Sequence, residues 1–235
     1  MKFRPKSGPK SDLARWFTYG PFRSLRNVTL ALWLAVCLTG PAPAQTIAAL
    51  GDSLTAGFGL PPEDGFVPQL QAWLRAHGQD VTIVNAGVSG DTSAGGLARL
   101  AWTLAPDVKA MIVNLGANDM LRGLDPALTR ANLDAILQTA AAKHIPVLLI
   151  GIHSTLNYGP EYQRQFNAIY PALAAQYHTL FFPHYFAPFT HGNPDPAAMA
   201  QYLQPDHLHP NAQGVAKIVA ALGPEVIELI KEIPQ

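Results

Sequence analysis

Two motifs near opposite ends of the chain hold a serine, a histidine and an aspartate. Gly-Asp-Ser-Leu occupies positions 51–54, and Asp-His-Leu-His-Pro occupies positions 206–210. A hydroxyl, an imidazole and a carboxylate are the parts of a nucleophile, of the base that activates it and of the acid that orients the base. A serine in a turn is most often only the N-cap of a helix. The interpretation of Ser53 as a nucleophile therefore depends on the other motifs.

Two further motifs could stabilise negative charge on a substrate. Asn-Ala-Gly-Val-Ser-Gly-Asp-Thr covers positions 85–92, and Gly-Ala-Asn-Asp covers positions 116–119. Acyl transfer needs hydrogen-bond donors aimed at the oxygen that becomes negative in the transition state. The backbone N–H of Gly90 and the side-chain amide of Asn118 are of this kind. We expect the neighbouring Asp52, Asp91 and Asp119 to hold their turns by hydrogen bonds rather than to react.

Short apolar runs alternate with longer amphipathic stretches after position 45, a pattern that predicts a parallel sheet with helices on both faces. The predicted strands are Thr46–Leu50, Val81–Ala86, Ala110–Leu115, Ile145–Gly151 and Thr179–Pro183. The predicted helices are Val67–His77, Thr92–Leu104, Pro126–Lys143, Tyr162–Tyr177 and Asn211–Ile230. The strands are rich in Val, Ile and Leu without strict alternation, which predicts burial on both faces. In such a sheet the carboxyl ends of the strands share one crevice, so the motifs above should meet there.

Together these motifs resemble the four sequence blocks of the GDSL, or SGNH, hydrolases. Further agreement, such as Ser-Gly-Asp-Thr-Ser at 89–93 and His-Pro-Asn at 209–211, is similar to the bacterial branch of thioesterase I, lysophospholipase and arylesterase enzymes. The resemblance extends over residues 46–230. It implies a three-layer α/β/α fold, with a flavodoxin-like, doubly wound sheet of five parallel strands.

The resemblance also assigns roles to individual residues. It implies Ser53 as the nucleophile, His209 as the base and Asp206 as the residue that orients it. It implies an oxyanion hole formed by Ser53, Gly90 and Asn118. His207 is a second candidate for the base, but the Asp-x-x-His spacing and the following Pro-Asn favour His209. One departure is Ala117, where this branch commonly has a second glycine.

A segment after the fourth predicted strand is the candidate substrate-binding loop. The resemblance implies that it borders an acyl groove, with Ile152, Leu156, Asn157 and Tyr158 as binding residues. Phe58 and Leu60 are possible contributors. Each buried methylene contributes about 0.8 kcal/mol, so an apolar groove predicts a preference for medium acyl chains over acetate.

The function implied is a serine esterase that hydrolyses small acyl esters, thioesters or lysolipids through an acyl-enzyme. An exported carbohydrate acetyl esterase of the same superfamily and a catalytically silent binding module are the alternatives. We expect no cofactor, since neither glycine-rich segment fits a nucleotide-binding motif. We also expect no metal, since the two histidines at 207 and 209 lack a third ligand of convincing spacing.

The first 44 residues have the pattern of a secretory signal peptide. A basic region precedes the apolar run Val28–Thr39, and Ala42-Pro43-Ala44 is a small-residue cleavage pattern before Gln45. Cleavage there would remove the only cysteine and leave nine basic and fifteen acidic residues, a formal charge of −6. We therefore expect a periplasmic or secreted domain over residues 45–235 that is a monomer, with no nucleic-acid partner and no membrane span in the mature form. Retention of the segment as an anchor is the alternative.

Overall fold

The computed structural model of this protein describes residues 45–190 and 199–234. The predicted signal peptide at residues 1–44 lies outside the described residues. The described residues contain a sheet of five parallel strands in the order β2-β1-β3-β4-β5. The strands are β1 (Gln45–Gly51), β2 (Val81–Gly87), β3 (Val108–Asn114), β4 (Val147–Ile150) and β5 (Leu180–Phe182). This is the doubly wound, flavodoxin-like order that the sequence predicts.

Helices connect the strands and cover the sheet. They are α1 (Ser53–Ala56), α2 (Phe66–Ala76), α3 (Ser93–Ala98), α4 (Leu100–Thr103), α5 (Ala117–Leu121), α6 (Pro126–Ala142), α7 (Gly159–Asn167), α8 (Ile169–Tyr177), α9 (Ala187–Thr190) and α10 (Ala212–Lys231). Helices α2 and α10 pack against each other, while α6 packs against α3 and α8. These two groups form the outer layers of a three-layer α/β/α fold. Within the described ranges, every helix is too short or too polar to cross a bilayer.

The central strands confirm the prediction of burial on both faces, but the edge strand β2 does not. Every residue of β1 from Thr46 onward is buried. In β2, by contrast, Val81 and Ile83 are buried while Thr82 and Val84 are exposed. The prediction was wrong there because β2 has only one neighbour and the four-residue α4 leaves one of its faces open. Trp102 of α4 is 89% exposed beside this face.

Two predicted helices are each divided in the structure. The predicted helix Thr92–Leu104 breaks at Arg99, whose backbone leaves the helical conformation between α3 and α4. The predicted helix Tyr162–Tyr177 begins earlier, at Gly159, and breaks at Ala168. Pro171 accounts for the second break, because proline has no N–H to bond the carbonyl of Asn167 and its ring crowds that carbonyl.

The order of the strands reverses at β1, which pairs with β2 on one side and β3 on the other. In doubly wound sheets ligands bind at this reversal, beyond the carboxyl ends of the strands. The segments that follow β1, β2 and β3 carry Ser53, Gly90 and Asn118 respectively. The topology therefore gathers the motifs singled out in the sequence at one edge of the sheet.

Candidate active site

Ser53 is the first residue of α1, and Asp52 alone separates it from the end of β1. Asp52 is the N-cap of this helix, and its Oδ1 accepts a hydrogen bond of 3.0 Å from the Leu54 N–H. The N–H of Ser53 belongs to the first turn, where amides have no acceptor within their own helix. The turn therefore presents both the hydroxyl and the backbone N–H of Ser53 to the crevice.

The side chains of Ser53, His209 and Asp206 form a connected row. His209 Nε2 lies 2.8 Å from Ser53 Oγ, although 156 positions separate the two residues. His209 Nδ1 lies 2.6 Å from Asp206 Oδ2. With Nδ1–H donating to the carboxylate, Nε2 is free to accept the proton of the Ser53 hydroxyl. The structure thus brings together the three residues that the sequence singles out.

Asp206 is held as a carboxylate by hydrogen bonds. Its Oδ1 accepts from the backbone N–H groups of Leu208 and His209 at 2.9 and 3.0 Å. Desolvation acts to raise the pKa of Asp206, but the hydrogen bonds from the His209 backbone and ring and from Leu208 outweigh it and lower the pKa to about 2. The group beside the imidazole is therefore charged at neutral pH, and it can orient and stabilise imidazolium.

His207 lies on the same loop but outside the row. Its side chain is exposed, and its backbone has a φ of 57°. None of the hydrogen bonds among the described residues involves its ring. The structure thus places His209, and not its neighbour His207, against Ser53.

The two other candidate oxyanion donors border the same crevice as Ser53. Gly90 has a φ of 86°, a conformation that favours glycine, and Arg122 Nη2 donates to the Gly90 carbonyl at 2.7 Å. Asn118 is the second residue of α5, the helix that follows β3, and its Nδ2 donates to Asp52 Oδ2 at 3.4 Å. Ser53, Gly90 and Asn118 all line one cavity.

Two aspartates, the buried Asp119 and the partly buried Asp91, hold the loops that carry these donors. Asp119 accepts hydrogen bonds from the N–H and hydroxyl of Ser93 at 2.7 and 2.5 Å, which ties the Asn118 segment to α3. Asp91 binds Arg99 Nε at 2.6 Å, and Arg99 also donates to the carbonyls at the ends of β1 and β2. The prediction that Asp91 and Asp119 hold their loops is confirmed. The sequence did not single out Arg99 for this position.

The cavity above Ser53 has a volume of about 440 Å³ and mostly apolar walls. Besides the residues discussed above, the lining consists of Leu54, Phe58, Ser89, Ala117, Met120, Leu121, Ile152, His153, Phe186 and Leu208. Its size and apolar character are those of a site for a small organic ligand. Among the described residues no cluster of three His, Cys, Asp or Glu side chains could hold a metal ion.

The predicted substrate-binding loop reaches the cavity only at its start. Ile152 lines the cavity and is 2% exposed. Leu156 is 63% exposed, and Leu156, Asn157 and Tyr158 lie outside the lining. Tyr158 instead donates from its hydroxyl to the carbonyl of Leu121, which does line the cavity. The apolar walls come largely from other segments, such as Met120 and Phe186.

Comparison with known proteins agrees with this geometry. Residues 49–217 match the GDSL-like Lipase/Acylhydrolase family. This chain belongs to that family. Over 208 residues it is 41% identical to Esterase TesA of Pseudomonas aeruginosa, an alignment that covers 88% of this chain and all of the relative. It is 37% identical to Thioesterase 1/protease 1/lysophospholipase L1 of Escherichia coli K12, over 77% of this chain and 82% of the relative.

A solved structure extends the agreement to the fold. The crystal structure of AlinE4, an SGNH-hydrolase family esterase, is 40% identical and has a TM-score of 0.64. That match covers 80% of this chain and 98% of AlinE4. The GDSL protein described here therefore has the SGNH-hydrolase fold, and it is an enzyme that hydrolyses ester bonds.

Proposed function

We propose that this GDSL hydrolase cleaves acyl esters and thioesters through a covalent acyl-enzyme on Ser53. The observation that carries the proposal is the row formed by Ser53 Oγ, the His209 ring and Asp206 Oδ2, with contacts of 2.8 and 2.6 Å. A serine hydroxyl is a weak nucleophile until a base removes its proton, and His209 Nε2 is within reach to do so.

The reaction follows in two halves. Ser53 Oγ attacks the acyl carbon while its proton passes to His209, and the carbonyl oxygen becomes an oxyanion. The N–H groups of Ser53 and Gly90 and the amide of Asn118 donate hydrogen bonds to that oxygen. His209 then gives its proton to the departing alcohol or thiol. Water, deprotonated by His209, attacks the acyl-enzyme, and the carboxylic acid leaves as Ser53 recovers its proton.

The apolar cavity supports medium acyl chains as the preferred substrates. Its volume of about 440 Å³ exceeds the needs of an acetyl group, and Ile152, Met120 and Phe186 give it apolar walls. Each methylene that is buried in the cavity stabilises the bound substrate by about 0.8 kcal/mol. We therefore expect kcat/KM to rise with the length of the acyl chain to an optimum of roughly four to ten carbons. Leu156, Asn157 and Tyr158 would then contact the substrate only where it leaves the cavity.

A chain-length series tests the function and its main alternative together. We expect p-nitrophenyl butyrate to decanoate to be cleaved with higher kcat/KM than the acetate, and acyl-CoA and a lysophospholipid measured alongside would distinguish the leaving groups. A steady fall from acetate upward, with activity on acetylated sugars, would instead identify a carbohydrate acetyl esterase. A fluorophosphonate probe that failed to label Ser53 would contradict the proposed role of Ser53 as the nucleophile.

We further propose that the enzyme is exported and acts as a monomer. Export is supported by the basic region, the apolar run Val28–Thr39 and the small residues before Gln45. A monomer is supported because one chain supplies the whole triad and all three oxyanion donors. N-terminal sequencing of periplasmic or secreted protein should begin near Gln45, and size-exclusion chromatography should give the mass of one mature chain. Full-length protein confined to the cytoplasm would contradict export.

A further inference from the structure

One short loop carries both Asp206 and His209 and is closed by its own backbone. Gln204 N donates to the carbonyl of His209 at 2.7 Å, and Leu203 forms an antiparallel bridge with Pro210. The Asp206–His209 contact lies entirely within this loop. The hydrogen bonds that join Asp206 to His209 and Leu208 therefore all lie within this loop.

Ser53 belongs to a different segment, so its distance from His209 depends on contacts between the loop and residues 53–58. The side chain of Gln204 makes such a contact. Its Nε2 donates to the carbonyl of Phe58 at 2.8 Å and to that of Pro210 at 2.9 Å. A side-chain amide has two N–H bonds, and both are used here. One donates to the segment that begins at Ser53 and the other to the loop that carries His209.

The surroundings of this amide hold it closely. A Cβ atom added at Gly59 would lie 2.3 Å from Gln204 Oε1, so the chain after Phe58 passes directly against the Gln204 side chain. The Phe58 ring in turn lies against the His209 ring, with centroids 4.7 Å apart. The Phe58 backbone and ring thus contact both Gln204 and the imidazole.

Other hydrogen bonds around the loop lead elsewhere. The side chain of Asn211 bonds the carbonyls of Gln201 and Leu203 and the N–H of Gly214, which fixes the loop to α10. Gln69 Nε2 donates to the carbonyls of Asp64 and Ala212, which fixes α10 to the start of α2. Neither side chain reaches the segment from Ser53 to Phe58.

We propose that Gln204 is a positioning residue that holds the His209 imidazole at hydrogen-bonding distance from Ser53. The inference rests on the proposed roles of Ser53 and His209. Gln204 does not line the cavity, so it acts on the geometry between base and nucleophile and not on substrate binding. Misplacement of reacting groups by about 1 Å can cost on the order of 100-fold in rate.

The test is Gln204→Met, which keeps the length of the side chain but has no donor. We expect kcat for p-nitrophenyl butyrate to fall about 10- to 100-fold with KM within about twofold of wild type, since only the alignment of the reacting groups changes. The midpoint of the ascending limb in the pH profile should stay unchanged, because the Asp206–His209 pair remains intact within its loop. Gln204→Glu, which sets a carboxylate against two carbonyls, should lower kcat further.

Gln69→Met is the matched control, because it also removes two side-chain hydrogen bonds to carbonyls near α10. It should lower the melting temperature about as much as Gln204→Met does and leave kcat within about twofold. The inference is overturned if Gln204→Met keeps wild-type kcat, if kcat falls equally in the Gln69 control, or if the pH midpoint of Gln204→Met differs from that of wild type. Activity retained by Ser53→Ala or His209→Ala would instead overturn the proposed function on which the inference rests.

Discussion

The side-chain amide of Asn118 donates a hydrogen bond of 3.4 Å to the carboxylate of Asp52, the residue that precedes Ser53. Asp52 is 1% exposed, and its other oxygen accepts the N–H of Leu54. One buried carboxylate therefore fixes both the turn of the proposed nucleophile and the amide proposed for the oxyanion hole. Burial is the main cause that raises the pKa of Asp52 to about 6.

Asp52→Asn should lower kcat about 10- to 100-fold, somewhat less than the outright loss of an oxyanion donor. An asparagine offers only one acceptor oxygen, so it cannot bond both the Leu54 N–H and the Asn118 amide. Steady-state hydrolysis of p-nitrophenyl butyrate measures the effect. Asp125→Asn is the control, because Asp125 caps α6 through the Ala127 N–H without a second partner at an active site. Equal activity of the two variants would contradict the prediction.

The two histidines of the C-terminal motif should respond oppositely to replacement. His209→Ala should reduce kcat about 10⁴-fold or more, as expected when the base of a triad is lost. His207→Ala should retain most of the activity, since His207 is exposed and its ring has no hydrogen bond among the described residues. Burst kinetics on both purified variants would separate the outcomes, and the reverse result would transfer the role of base to His207.

Leu121→Ser should flatten the preference for longer acyl chains. Leu121 lines the cavity while remaining 47% exposed, so its replacement removes apolar contact with little cost to the core. The ratio of kcat/KM for octanoate and butyrate esters should fall by several-fold, given about 0.8 kcal/mol per methylene that loses its contact. Leu128→Ser is the control, since Leu128 is a similarly exposed leucine on α6 outside the lining. A fall of the same size in the control would argue against the cavity as the acyl site.

His184 should make the fold less stable in mild acid. Burial, and then the neighbouring His153, lower the pKa of His184 to about 4 from an ordinary value of 6.5. The two rings stack with centroids 4.3 Å apart, and His184 Nδ1 is buried without a partner among the described residues. Between pH 6.5 and 4 the unfolded chain binds more protons at this site, so the free energy of unfolding falls as the pH falls through that window.

His184→Phe should therefore lose less stability than wild type between pH 7 and pH 5, by on the order of 1–2 kcal/mol. Chemical unfolding at the two pH values measures the difference. Asp52 acts in the opposite direction, because its raised pKa lets the folded state bind more protons between pH 3.8 and about 6. That contribution is common to both proteins and cancels in the comparison. Parallel pH dependence of the two proteins would contradict the prediction.

Much of the fold and of the triad followed from local sequence. Short apolar runs marked each of the five strands, since strands buried on both faces of a parallel sheet have an apolar composition. Ser53 followed from a motif next to the end of a strand, and its pairing with His209 and Asp206 followed from the resemblance to the SGNH hydrolases. The exposed face of β2 did not follow, because it depends on how short α4 is.

The long-range hydrogen bonds that position the groups of the site could not be predicted from local sequence. The bonds from Asn118 to Asp52 and from Gln204 to Phe58 join side chains to partners 66 and 146 positions away. No periodic pattern or turn preference marks such a pair, because its geometry exists only after the loops have packed together. The same holds for Leu156, whose apolar character suggested a place in the groove but whose position on an exposed 3₁₀ turn lies outside the cavity.

The 156 positions between Ser53 and His209 also bear on how the enzyme is made. A ribosome adds about 5–20 residues per second, so the base would leave it roughly 8–30 s after the nucleophile. Until then the serine has no group to take its proton and is a weak nucleophile. An unfinished chain that ends before His209 therefore cannot hydrolyse the esters around it. Hydrolytic activity begins only when the last helix completes the fold.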